Sequence, residues 1–275
     1  MPALPALGHA NLRLGPHLDA HRLQVTAQRA GSLDTVTIDL SDASFVTPYG
    51  LVFIAVHAEH ISRAGRRPLV IAPHDPHVAR YIARMKLGGV IEGLGGTHDL
   101  PAVRHHDVGD RLLELQRVSD SARTDALAEN VHDRLHPADR RAASAMHQSI
   151  CEIGQNVFQH SGQPHGYIAA QSYDGNRVSF AIGDGGVGLR RSLEPFRHFT
   201  DDLDVIDAVL HGGVTSTGKA GRGHGIAHTR GLIAARGGTL TVHTEETVRT
   251  VSSSHQTLAR RPMSGTLICG DINTQ

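Results

Sequence analysis

Apolar positions along the chain recur with two periods, and the switch between them marks out the elements. Residues 36–40, VTIDL, alternate and are β-branched, which predicts a strand. Phe45 and Val46 then lead into TPYGLVFIAVHAEHISRAG, punctuated as a helix: Thr47 stands at the N-cap, Pro48 in the first turn and Gly65 at the close. PLVIAP has the length of a buried strand, and DPHVARYIARMKL restarts a helix with Asp75 as cap and Pro76 at its first position. The glycines after Leu94 and the run GGTHDLPAV read as a loop, so a domain boundary is expected near residue 100, dividing the chain into 1–100 and 101–275.

Beyond that point a long helical segment ends in ICEIGQNVFQHSG. At about 100° per residue, Met146, Ile150, Ile153 and Val157 form one apolar stripe, and Ser149, Glu152, Asn156 and His160 form a polar stripe beside it. GYIAAQSY and NRVSFAIGD follow as strands joined at Asp174-Gly175, and DDLDVIDAVLHGG as a helix. A loop carrying glycines, threonines and a lysine leads to a helix starting near His224, and the strands TLTVHT and GTLICGDI finish the chain. The pattern is α/β.

A carboxylate at the edge of a core is costly unless it is paired, so Glu152 and Asn156 must face protein, water, metal or ligand. Composition narrows the choice. Aromatic residues are 4% of the chain, with no Trp, which supplies few stacking platforms for single-stranded nucleic acid. The 27 basic and 27 acidic residues balance without a dense basic block, which argues against nucleic acid or an anionic membrane as partner. Cys151 and Cys269 form no C-x-x-C pair, and Leu51 to Val56 is the longest apolar run, so a soluble protein of a reducing cytoplasm is expected. The 21 histidines are scattered, and the adjacent His105 and His106 would diverge on any regular element, so histidine-based metal binding is not expected.

The glycine clusters exclude two familiar sites. The G-x-G-x-G at Gly221, Gly223 and Gly225 follows a loop rather than a strand, unlike a dinucleotide fingerprint, and GKAGRG lacks the Ser/Thr after lysine that a P-loop needs. Taken together, EIGQN with HSG, DGGVG, GRGHG and SGTL resemble, in order, the N-box, two glycine boxes and terminal Gly-Thr of the GHKL ATPases with the Bergerat nucleotide-binding fold. The resemblance implies an α/β sandwich, a mixed sheet with helices on one face, binding ATP and Mg²⁺. It implies that Asn156 reaches the metal and that Glu152 orients or deprotonates the attacking group. Asp184 would accept from the adenine amino group, Gly186 and Gly188 would let the backbone turn beside the base, and Thr266 would approach the adenine end. Lys219, Gly221, Arg222, Gly223, His224 and Gly225 would meet the phosphates at a helix start.

Residues 36–94 are similar to a STAS domain, through IDLSDASFVTPYGL and AGRRPLVIA. Pro48 and Tyr49 stand where that family carries its phosphoacceptor serine, and Thr47 is the nearest hydroxyl. A histidine-kinase box is not supported: VHDRLHPADR at His132 lies only about six helical turns before Glu152. The combination implies a Mg·ATP-dependent regulatory kinase or ATPase of the serine/threonine, anti-sigma-factor type. Its expected partner is a regulatory protein such as a sigma factor or STAS-type protein, with a homodimer left open. The alternative is a non-catalytic switch, in which nucleotide orders residues 213–223 around a partner.

Overall fold

The computed structural model describes residues 7–31, 34–103, 112–173, 177–212 and 225–274. Strands β1 (Ala10–Gly15), β2 (His17–Leu18), β3 (Gln24–Arg29), β4 (Thr35–Asp39) and β5 (Phe45–Val46) precede α1 (Pro48–Arg63). After it come β6 (Arg67–Ile71), α2 (Pro76–Arg84), α3 (Leu87–Gly93) and β7 (Thr97–His98). The second half holds β8 (Leu112–Val118), α4 (Ser121–Leu135), α5 (Arg140–His160), β9 (Gly166–Tyr173), β10 (Arg177–Asp184), α6 (Gly188–Leu193) and α7 (Asp202–His211). It closes with α8 (Gly225–Ala234), β11 (Thr239–Thr244), β12 (Thr247–Val251), β13 (Gln256–Arg260) and β14 (Thr266–Asn273). The fold is α/β, built on two main sheets.

The first sheet runs β3-β1-β4-β6-β7, parallel except for the β1/β3 pair. The second runs β13-β12-β11-β14-β10-β9-β8. Every described pair in it is antiparallel, so the mixture of directions expected there lies in the first sheet instead. The expected loop after Leu94 contributes the short strand β7, and the second sheet gains three strands that were not predicted, β12 and β13 beyond β11 and β8 beside β9.

Strand alternation sends the second sheet's side chains to two covered faces. Ile168, Ala170, Phe180, Ile182, Val242 and Ile268 pack with Met146, Ile150 and Ile153 of α5 and with residues of α4, α7 and α8. Tyr167, Ala169, Ala181, Leu267 and Cys269 pack in the other core, with Tyr49, Val52, Phe53 and Val56 of α1. Helices therefore lie on both faces, where one was expected. The two sheets part between β7 and β8, yet this second core takes residues from both halves of the chain.

Being enclosed on all sides explains why α1 is apolar all round from Pro48 to Val56, the continuous LVFIAV run included. No described helix is long and apolar enough to cross a membrane. Its N-terminus departs from expectation: Thr47 occupies the cap position without a capping bond, and its buried hydroxyl donates to the Leu18 carbonyl at 3.1 Å. Asp75 does cap α2, accepting from the His77 N–H.

A buried arginine ties the halves together. Arg261 donates to the carbonyls of Leu23 (2.8 Å), Ala20 (2.6 Å) and His21 (2.9 Å). Its own carbonyl accepts from His243 Nε2, and His243 Nδ1 accepts from the Tyr49 hydroxyl at 2.9 Å. Burial lowers His243 to about 3, which keeps the ring neutral and suited to that pair of bonds.

Candidate functional site

The strand alternation that builds the helix-side core also places a polar row at one end of it. Asp184 pairs with Thr266 across β10/β14, and Thr266 pairs with Thr244 across β14/β11. All three are in phase with Ile182, Ile268 and Val242, so they share the helix-side face. The turns that hold them need glycine. Gly265, at φ +94°, packs against the Asp184 carbonyl with no room for a Cβ, and Gly186 is pressed in the same way against the Ser161 carbonyl. Gly188, at φ +76°, lies beside Thr244 and Glu245. The Thr244 hydroxyl clasps this end, accepting from the Leu189 N–H at 2.9 Å and donating to the Gly265 carbonyl at 3.2 Å.

Asp184 is 3% exposed, and one carboxylate oxygen accepts from the Gly186 N–H at 2.8 Å. Burial, helped by the charge of Glu59, raises its pKa to about 7 against the pull of that single N–H. A carboxylate with spare acceptor capacity at a strand end is a place for a neutral donor.

The polar stripe of α5 forms the other part of the site. Glu152 and Asn156 are half-buried, and neither has a hydrogen-bond or ion-pair partner among the described residues. They face Gly225, the first residue of α8: a Cβ there would stand 2.7 Å from Glu152 Oε2 and 3.7 Å from Asn156 Nδ2. Glycine lets the two helices approach, and it turns the positive end of α8 toward the Glu152 carboxylate. Asp184 makes no direct bond to Glu152 or Asn156. The connection runs through Ser161, which follows α5 directly and accepts from the Val187 N–H at 3.1 Å. Asn156 lies five residues earlier, roughly 7.5 Å along the helix axis.

Of the predicted residues, the fold thus groups Asp184, Gly186, Gly188 and Thr266 at the strand ends, and Glu152, Asn156 and Gly225 between α5 and α8. Lys219, Gly221, Arg222, Gly223 and His224 lie outside the described residues, as do residues 213–223, the turn Asp174-Gly175, His105 and His106, and the side chains of Val157 and His160. Gly265, Ser161 and Thr244 join the site without having been singled out. The quoted SGTL and HSG contained the first two; Thr244 gave no signal.

The first half of the chain reaches the same loops from the opposite face. Arg63 Nη1 donates to the Gly185 carbonyl at 2.6 Å, and His60 Nε2 donates to the Ser264 carbonyl at 3.3 Å. Glu59 Oε1 lies 2.6 Å from His165 Nε2, and Arg117 donates to His165 Nδ1 at 2.9 Å. Burial is the largest influence on His165 and lowers its pKa. A separate cleft of about 430 Å³ lies at the far end of the second sheet, between Asp19–Arg22 and Arg177, Thr239 and Asn273; Thr47 lines it, and none of the residues predicted for the nucleotide site does. The described residues contain no cluster of three or more His, Cys, Asp or Glu side chains arranged for a metal ion.

No protein-family model and no curated protein matches the chain. Among solved structures, full-length ShkA in complex with AMPPNP is similar over 72% of this chain and 36% of that one, at 16% identity and a TM-score of 0.34. This chain therefore spans much less than two thirds of that neighbour, and a likeness at that level carries no argument.

Proposed function

We propose that the chain is a nucleotide-binding regulatory protein that holds Mg·ATP between the strand-end row and the α5/α8 pair and acts as a kinase or ATPase on a protein partner. One observation carries the reading: Glu152 and Asn156 stand without hydrogen-bond or ion-pair partners among the described residues, on a helix that runs directly into the turn of a buried carboxylate, Asp184, at the sheet's end. Ionised Asp184 accepts from the exocyclic amino group of adenine, beside Thr266, and the close turns at Gly186 and Gly188 leave room for the ring. The start of α8, with Lys219, Gly221, Arg222, Gly223 and His224 preceding it, meets the phosphates.

The Asn156 amide oxygen is a hard, neutral donor and fits an ion that keeps several waters. Mg²⁺ bound there supplies charge neutralisation across the phosphates. Glu152, one turn away, orients or deprotonates the attacking group. The two-part division at about residue 100, a sigma-factor or STAS-type partner, a homodimer and a cytoplasmic location belong to the same proposal.

Titration calorimetry with Mg·ATP, paired with a phosphate-release assay, tests it. Wild type is expected to bind, Asp184→Asn and Asn156→Ala to lose binding, and Glu152→Ala to bind while turnover falls by about 10² or more. Wild type that binds no nucleotide refutes the proposal. Unchanged turnover in Glu152→Ala with binding intact would leave the non-catalytic switch.

A further inference from the structure

Three side chains near the end of α1 reach three separate loops, and those loops frame the candidate site. Glu59, His60 and Arg63 share one side of the helix, at spacings of three and four residues. Arg63 holds the Gly185 carbonyl, inside the Asp184–Gly186 turn; His60 holds Ser264, next to Gly265 and Thr266; Glu59 holds His165, in the loop after α5. A Cβ added to Gly185 would lie 3.4 to 3.6 Å from all three of these side chains.

We infer that Arg63, supported by Glu59 and His60, is a positioning residue for the adenine end of the site, acting through the Gly185 peptide, so that nucleotide affinity is set in part from the first half of the chain. The inference rests on the nucleotide reading above. Gly185 has no side chain to fix its orientation, and its carbonyl is held by a charged donor at 2.6 Å, the strong class of hydrogen bond. The Gly185 carbonyl and the Gly186 N–H belong to one planar peptide, so rotation of that peptide would swing the N–H away and break its bond to the Asp184 carboxylate. Arg63 lies on the α1 face while Asp184 points to the helix-side face, so Arg63 acts through the backbone without touching the base. Its influence is therefore confined to the adenine end, and phosphate contacts at α8 are independent of it.

The test uses the full chain as wild type, Arg63→Ala, Arg63→Lys and His60→Gln. Affinities for Mg·ATP and for inorganic tripolyphosphate are measured by calorimetry, and exchange of the Gly186 amide is followed in nucleotide-free protein. Arg63→Ala is expected to weaken ATP binding about tenfold, to leave tripolyphosphate within about twofold and to speed Gly186 exchange by about tenfold. Arg63→Lys retains a charged donor and falls between Ala and wild type. If the alanine variant does not fold, Arg63→Lys and His60→Gln carry the test, with smaller shifts in the same direction. Wild-type ATP affinity and Gly186 protection in a folded Arg63 variant overturn the inference, as do equal losses for ATP and tripolyphosphate. Wild type that binds no ATP overturns the nucleotide reading instead, and exchange at Gly186 then still shows whether Arg63 holds the turn.

Discussion

Replacing Asp184 by asparagine is predicted to stabilise the fold and to abolish nucleotide binding, with the stabilisation switched on by pH. Burial lifts the carboxyl from its ordinary 3.8 to about 7 in the folded chain. Below pH 3.8 folded and unfolded chains both hold the proton, and stability is at its fullest. Between 3.8 and about 7 the unfolded chain has released the proton while the folded one keeps it, so stability falls by about 1.4 kcal/mol per pH unit. Above about 7 the folded carboxyl ionises as well, and the loss levels off at about 4 kcal/mol, an upper bound since relaxation around the charge reduces it.

Asparagine is neutral throughout and keeps an oxygen for the Gly186 N–H, so it escapes this loss. The variant should exceed wild type by less than about 1 kcal/mol at pH 4 and by a few, up to about 4, at pH 8. Urea unfolding at pH 4, 6 and 8 with equal m-values measures the difference. An advantage that does not grow with pH, or a variant less stable than wild type at pH 8, refutes the assignment of a buried, strained ionisation to Asp184.

Other consequences follow from the same geometry. Gly265→Ala forces a Cβ into the Asp184 carbonyl at a backbone angle of +94°, and should lower urea stability by about 3 kcal/mol. Gly225→Ala meets only the free end of the Glu152 side chain, so stability should stay within about 1 kcal/mol while displacement of that carboxylate cuts phosphate release about tenfold or more. His57 and His243 are fully buried and lowered to about 3, so the stability they provide is complete above the ordinary 6.5 and lost as pH falls toward 3. On acidification from pH 6 to 4 His57 alone therefore costs wild type up to about 1.4 kcal/mol per unit relative to a His57→Leu variant, which parallel urea titrations of the two will show.

Local signals carried the parts of the fold that local chemistry decides. Asp75-Pro76 marks a helix start because a carboxylate cap and a fixed φ act within one turn. The stripe Met146–Ile150–Ile153 marks the buried side of α5 because period alone sets it, and it correctly put Glu152 and Asn156 at the edge of the core. Gly186 and Gly188 of DGGVG were picked out through the family resemblance, whereas the close approach of Gly265 to the Asp184 carbonyl shows only once β10 and β14 are paired. What escaped was non-local. Nothing near Thr47 shows that the Leu18 carbonyl will claim its hydroxyl. Thr244 looks like any strand threonine until β11 lies beside β14, and Glu59, His60 and Arg63 look like a solvated helix end until a second sheet is packed over them. The strands β8, β12 and β13 gave too little alternation in charged surroundings to stand out from loops.

The position of α1 between two sheets leads to a prediction about severing the chain. A boundary near residue 100 follows the change in composition and the break between β7 and β8, yet hydrophobic burial ignores it. Tyr167, Ala169, Ala181, Leu267 and Cys269 share a core with Tyr49, Val52, Phe53 and Val56, and Arg261 closes the junction on three carbonyls of the first half. Residues 101–275 alone would expose one whole apolar face of their sheet, an area beyond the patches that monomeric proteins tolerate. Residues 1–100 alone would expose the apolar side of α1 that carries Tyr49, Val52, Phe53 and Val56. Each half expressed by itself should therefore aggregate or melt without a cooperative transition, and co-expression should restore one transition shared by both. A second half that unfolds alone at the temperature of the full chain would show that α1 contributes little to the sheet, and would remove the structural ground for control of the site from the first half.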